Sequence, residues 1–122
     1  MSDIEKINLE EKFAKFNDYW SPKVIGQLNH QLIKVTKFQG DFVWHSHENE
    51  DELFMVIDGS FTMELRDRNI QVKTGELIII PRGTEHRPVA KEEVSILLFE
   101  PNTLINTGDV RNNLTVELPD SI

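Results

Sequence analysis

Between Val24 and Phe99 the chain is a succession of short apolar stretches broken by turn residues, and this spacing constrains the fold more than any other feature. Strands at roughly 8–12-residue intervals with turn signals between them form all-β sandwiches or barrels. The clearest stretch is Phe61-Thr62-Met63-Glu64-Leu65-Arg66, where apolar and polar residues alternate, as a sheet with one buried face requires. Asp58-Gly59-Ser60 before it and Asp67-Arg68-Asn69 after it are turn sequences and predict short antiparallel hairpins in chain order. Residues 53–57 and 77–80 are continuous apolar runs, the pattern expected of strands buried on both faces. Residues 94–99 supply another strand, and residues 24–28 and 31–38 two earlier ones.

Only the N-terminal stretch reads as helix. Asn8 suits a cap with Glu11 at the third helical position, and Phe13 and Phe16 then share one face, so a short amphipathic helix is expected over about residues 9–18. Ser21-Pro22 should end it, because proline cannot continue a helix. Residues 102–122 are polar and turn-rich, with weak alternation from Leu114 to Leu118, and are expected to lie along the surface. No repeat or linker divides the chain, so a single domain over residues 1–122 is expected.

Composition narrows the chemistry. The 122 residues include no cysteine, which excludes disulfides, thiolate metal sites, iron–sulfur clusters and a cysteine nucleophile together. Any metal must therefore use nitrogen and oxygen ligands. With 13 basic against 21 acidic residues the net charge is −8, which disfavours nucleic acid as a partner. No apolar run approaches the ~20 residues of a membrane span, and MSDIEKINLEEKF lacks the basic and apolar stretches of a signal peptide. A cytoplasmic protein with no membrane partner is expected.

Residues 45–52 read HSHENEDE. On a strand, His45 and His47 would aim their imidazoles at one point while Ser46 faces away. If residues 48–51 form a hairpin loop, Glu52 returns antiparallel beside them. His86 follows the turn sequence Pro81-Arg82-Gly83-Thr84 and can approach from a neighbouring strand. Three imidazoles and a carboxylate suit one divalent ion, Fe, Mn, Ni, Zn or Cu, and four protein ligands leave positions open on an ion that accepts five or six. Neutral histidines with one carboxylate would leave a site charge of about +1, which favours an anionic substrate. His30 lies outside this set and is expected at the surface.

Gly40-Asp41-Phe42-Val43-Trp44-His45-Ser46-His47, then Glu52, then Gly59, resembles the first conserved motif of the cupin superfamily, and Gly75, Pro81, Gly83 and His86 resemble the second. The motifs span residues 40–90. The first glycine lies one residue nearer the histidine pair than is usual, and Ala90 stands where the second motif commonly ends in Asn; neither departure touches a ligand position. The resemblance implies a jelly-roll β-barrel with a metal ion inside it on His45, His47, Glu52 and His86, and a homodimer.

Beside these four, Arg82 and Arg87 flank the second motif and are candidates for holding a substrate carboxylate or phosphate, though salt bridges to the abundant acids compete with that role. Phe54 and Met63, core residues by their pattern, are candidates for lining a substrate cavity. Phe42 and Trp44 alternate with the ligand positions and serve packing, a cavity wall or a dimer surface; Glu48, Glu50 and Asp51 suit a solvated acidic loop. The leading functional reading is a metal-dependent enzyme acting on a small organic molecule, with Glu52 as its candidate base. Quercetinase-like dioxygenases and phosphomannose isomerase-like sugar-phosphate isomerases are the subclasses that the resemblance offers. The contrasting class is a non-catalytic protein that binds a metal or small molecule for sensing.

Overall fold

The structure, a computed structural model, describes residues 4–122. One short helix, α1 (Leu9–Phe13), precedes seven strands: β1 (Lys23–Leu28), β2 (Gln31–Asp41), β3 (Glu52–Asp58), β4 (Ser60–Leu65), β5 (Asn69–Lys73), β6 (Leu77–Ile80) and β7 (His86–Pro101). The Asn8 side chain accepts the Glu11 amide at 2.9 Å, as the sequence predicts. The helix ends earlier than expected, at Phe13 rather than about residue 18. Its continuation is diverted: the Lys37 ammonium takes the Phe16 carbonyl at 2.9 Å, and Asp18 accepts from Lys23 at 2.8 Å. Phe13 and Phe16 still bury together, against Val35.

All strand pairs are antiparallel, and the 16-residue β7 organises them. Along one edge β7 pairs with β2; along the other, its first residues pair with β4 and its last with β3. The sheet therefore folds over along β7, which contributes residues to both halves. The remaining pairs are β1 with β2, β3 with β6 and β4 with β5. Of the two turns flanking β4 that were expected to make hairpins, only the one between β4 and β5 does so. The turn at Gly59 instead moves the chain from beside the end of β7 to beside its start, so β3 and β4 do not pair. Gly59 has φ 108°, and a Cβ there would meet the Glu93 carbonyl oxygen and Val94 at 3.2 Å, so the corner requires glycine. The expected jelly roll is present as this folded-over antiparallel sheet; its hydrogen-bond ladders do not close into a ring, because β1, β5 and β6 each pair with a single named strand.

Two apolar runs behave differently from expectation. β3 alternates, with Glu52, Phe54 and Val56 buried and Leu53, Met55 and Ile57 half-buried. β6 is an edge strand with Leu77 54% and Ile79 56% exposed. Neither strand is covered on both faces. The register aligns Ile33, Phe99, Leu53 and Ile79 in one row and Val35, Leu97, Met55 and Leu77 in the next. Both faces of the sheet are apolar in sequence, but the helix covers only the Val35 end of the outer one.

The inner face holds the main core, in which Trp20 stacks on Phe38 and Phe42 at 4.3 and 4.8 Å between ring centroids. Met63 is fully buried in this core.

Candidate metal centre

His45, His47, Glu52 and His86 converge at the inner face, all four buried, with one donor atom from each lying within 4.8 Å of the others. The four arrive by different routes. Glu52 opens β3 and is positioned by its pairing with Ile80 of β6; His86 opens β7 opposite Leu65 of β4. His45 is joined to His86 by reciprocal backbone bonds of 3.1 and 2.9 Å, an isolated bridge rather than a strand. The expectation that both histidines lie on a strand paired with β3 is thus overturned: residues 46–51 form no ladder, and β3 pairs with β6 and β7.

Other contacts fix the histidine segment instead. The Gly83 amide donates to the His47 carbonyl at 2.8 Å. Between the two histidines, the Ser46 amide donates to the Asp109 carboxylate at 3.0 Å, and the Ser46 carbonyl accepts the Asp109 amide at 3.1 Å. Gly108, with φ 57°, packs so closely that a Cβ would stand 2.1 Å from the Ser46 carbonyl oxygen and 3.2 Å from the His45 ring. The C-terminal segment, expected along the surface, therefore supports the donor cluster, and it buries Leu104 and Thr107 in doing so.

Hydrogen bonds set the tautomers. His45 Nδ1 lies 2.9 Å from the Val43 carbonyl and His86 Nδ1 2.9 Å from the Thr84 carbonyl. A carbonyl only accepts, so both Nδ1 atoms carry the proton and both Nε2 atoms present lone pairs. His47 Nε2 and His86 Nε2 lie 3.1 and 3.5 Å from Glu52 Oε1, yet none of these atoms has a satisfied hydrogen bond. Buried polar atoms are seldom left so, and one divalent ion would satisfy all of them. The donor set, without thiolate, suits a borderline or hard cation.

The electrostatics agree. Burial, reinforced by His86, pushes the His45 imidazole down to about 4, leaving it neutral and able to ligate at ordinary pH. Burial also acts to raise the Glu52 carboxyl, but the facing imidazoles of His47 and His86 outweigh it and hold the group below the usual carboxylate range. Behind Glu52 lies a residue that pattern reading passed over. Glu100 is buried, pairs with the equally buried Lys34 at 2.8 Å, and is raised well above the ordinary range by burial and by the charge of Glu52, against the pull of Lys34. A signal for it existed: Val94, Ile96, Leu98 and Glu100 share one parity on β7, which places a carboxylate on the core face.

His45 and Glu52 also line a cavity walled by Trp20, Phe38, Phe42, Phe54 and Leu98. The cavity is tight, with a volume of about 20 Å³. Of the expected substrate contacts, Phe54 lines this cavity and Met63 does not. Neither arginine lines it: Arg82 is exposed beside Asp51 at 3.4 Å, and Arg87 is paired with Glu64 at 2.7 Å. Trp44 packs outside, under Arg66 at 3.9 Å. His30 is exposed, and the acidic residues Glu48 and Asp51 face solvent as expected.

Comparison with known proteins places this geometry. The cupin domain model, Cupin_2, matches residues 33–100. A cupin-2 domain containing protein from Shewanella frigidimarina NCIMB 400 is 46% identical, with a TM-score of 0.78 over 79% of this chain and 94% of that one. Protein NMB1881 from Neisseria meningitidis is 27% identical, with a TM-score of 0.74 over 80% and 100%. The uncharacterized protein YdbB of Bacillus subtilis strain 168 is 32% identical over 80 residues, 65% of each chain, so this chain matches less than two thirds of that curated relative. Among the described residues, no helix is long and apolar enough to cross a membrane. On its matched domain and its fold, the chain belongs to the cupin family.

Proposed function

We propose that this protein is a metal-dependent cupin that acts on a small organic molecule. The observation that carries this reading is the convergence of four buried donor residues, among which His47 Nε2, His86 Nε2 and Glu52 Oε1 have no hydrogen-bond partner. His45, His47 and His86 through Nε2 and Glu52 through Oε1 would hold one divalent ion. When bound, that ion would supply Lewis acidity and open coordination positions. The chain's own contribution is to keep the His45 imidazole neutral, to orient the His45 and His86 rings, to exclude water with the aromatic wall, and to place Glu52 where its carboxylate can accept a substrate proton.

Of the two enzyme subclasses, a sugar-phosphate isomerase is the less supported, because no arginine or lysine lines the cavity beside His45 and Glu52. A non-catalytic binding protein is the second reading, favoured by the small open volume. Elemental analysis of protein purified without a histidine tag, with O₂-uptake and isomerase assays, separates them. Stoichiometric redox-active metal with O₂ consumption supports the oxygenase; tight metal without turnover supports the binder. His47→Ala should lose the metal and, with it, heat resistance, because a ligand bound to the native state alone stabilises it. Unchanged metal content in that variant would defeat the ligand assignment.

The uncovered rows of the outer face support a homodimer, and we propose a cytoplasmic location from the sequence alone. Leu77, Ile79, Leu53 and Phe99 present a contiguous apolar surface of the kind that marks an interface. Ile79→Lys should convert a dimer to a monomer in sedimentation; a monomeric parent protein would contradict the assignment.

A further inference from the structure

Resting on the metal-centre reading above, we infer that the ligand is a small molecule with a flat apolar body and a metal-chelating end, admitted by displacement of the Trp20 indole. The cavity decides the body. Its walls are four aromatic rings and Leu98, and no cationic side chain lines it, so a phosphate or a sugar would lose its hydration there without compensation. The two buried lysines are already engaged, Lys34 by Glu100 and Lys23 by Asp18, each at 2.8 Å.

One polar group points to a ligand rather than plain core. The Thr36 hydroxyl is fully buried, lines the cavity and has no hydrogen-bond partner; Asn106 reaches the same cavity from the C-terminal segment. A polar edge on an otherwise apolar ligand would satisfy Thr36.

Trp20 decides the manner of binding. The open volume of about 20 Å³ admits no ring, yet the indole already occupies a ring-shaped place, stacked on Phe38 and Phe42. Its backbone has φ 59°, a conformation that is costly for a bulky residue and persists only when neighbours enforce it. The enforcing bonds are few: the Trp20 amide to the Lys37 carbonyl at 2.9 Å, Nε1 to the Gln39 carbonyl at 3.0 Å, and Asn106 Nδ2 to the Trp20 carbonyl at 3.4 Å. A flat ligand can take over the stacking on Phe38 and Phe42 that the indole gives up.

The test uses zinc-loaded full-length protein and three probes: benzohydroxamate, acetohydroxamate and glucose 6-phosphate. The two hydroxamates share a chelating head and differ in the ring. Benzohydroxamate should bind at least tenfold more tightly than acetohydroxamate after correction for their affinities for free zinc. In a Trp44→Phe background, it should also shift Trp20 emission to longer wavelength as the indole leaves the core. Equal affinity of the hydroxamates, an unshifted emission, or saturable glucose 6-phosphate binding tighter than that of benzohydroxamate would overturn the inference. Zinc content is read on the same sample. Full zinc with no ring preference defeats this inference alone, whereas protein that retains no zinc defeats the metal-centre reading beneath it.

Discussion

His45 and His47 belong to a segment without a ladder of its own, whereas Glu52 and His86 stand at the starts of regular strands. The two halves of the donor cluster are therefore held by different physics. The strand-borne half is set by sheet register and backed by the buried Lys34–Glu100 pair. The loop-borne half is pinned by isolated contacts, outside any ladder, from distant parts of the chain: His86, Gly83, Gly108 and Asp109. A centre divided in this way can keep two donors fixed while the others adjust to an incoming ion. The comparison also makes each half separately breakable.

The largest effect is expected behind the strand-borne half. Lys34→Ala leaves Glu100 buried without its cation, and removing one partner of such a pair costs about 3–5 kcal/mol. Denaturant unfolding at pH 7 measures it, and the loss should shrink in acid, where Glu100 takes up a proton. The double replacement Lys34→Met with Glu100→Leu should recover most of the loss, since apolar substitutes for a buried pair are often neutral.

Next in size is a pH effect from the loop-borne half. His45 stays neutral in the folded protein down to about 4, but an unfolded histidine takes a proton near 6.5. Between those values the unfolded state binds more protons, so metal-free protein should lose stability as pH falls through that window, by about 3 kcal/mol in all. Glu100 acts with the opposite sign: its raised folded value gives stability that is lost as pH rises. Subtracting the pH profile of His45→Asn, which retains Glu100, isolates the histidine contribution. Parallel profiles would show that burial does not perturb His45.

Gly108→Ala comes third. The added Cβ must push the Ser46 carbonyl away from 2.1 Å, in a left-handed conformation that disfavours alanine, for about 2 kcal/mol. Metal affinity should fall with it because Ser46 lies between two donors; an unchanged affinity would show that the C-terminal segment does not position them. The smallest effects belong to the exposed arginine. Arg82→Ala should change stability by less than about 0.5 kcal/mol and leave metal content unaltered.

The sequence was legible where a local pattern carries the physics. The positions of β1 to β4, β6 and the second half of β7 follow from alternation and turns, whereas the short β5 and the first half of β7, largely polar and charged in sequence, are not marked out in that way; the four donors follow from their residue types and spacing. The path by which His45 and His47 meet Glu52 did not, because that depends on a backbone bridge to His86, 41 positions along the chain by residue number. β2 shows another limit. Lys34 and Thr36 face inward, while Ile33 and Val35 face outward toward the helix and the apolar rows. Alternation gives the period but cannot say which parity is the core when both faces are covered in part by apolar groups. Gly108 carries no local signal at all. Its role exists only once residues far apart in sequence are in contact.

The most direct test of the central claim is anomalous diffraction from a crystal of tag-free protein loaded with one equivalent of Zn(II). The account predicts a single peak about 2.0–2.2 Å from the Nε2 atoms of His45, His47 and His86 and from a Glu52 carboxylate oxygen. A peak on the exposed acids Glu48 or Asp51, with none among the three histidines, would contradict it.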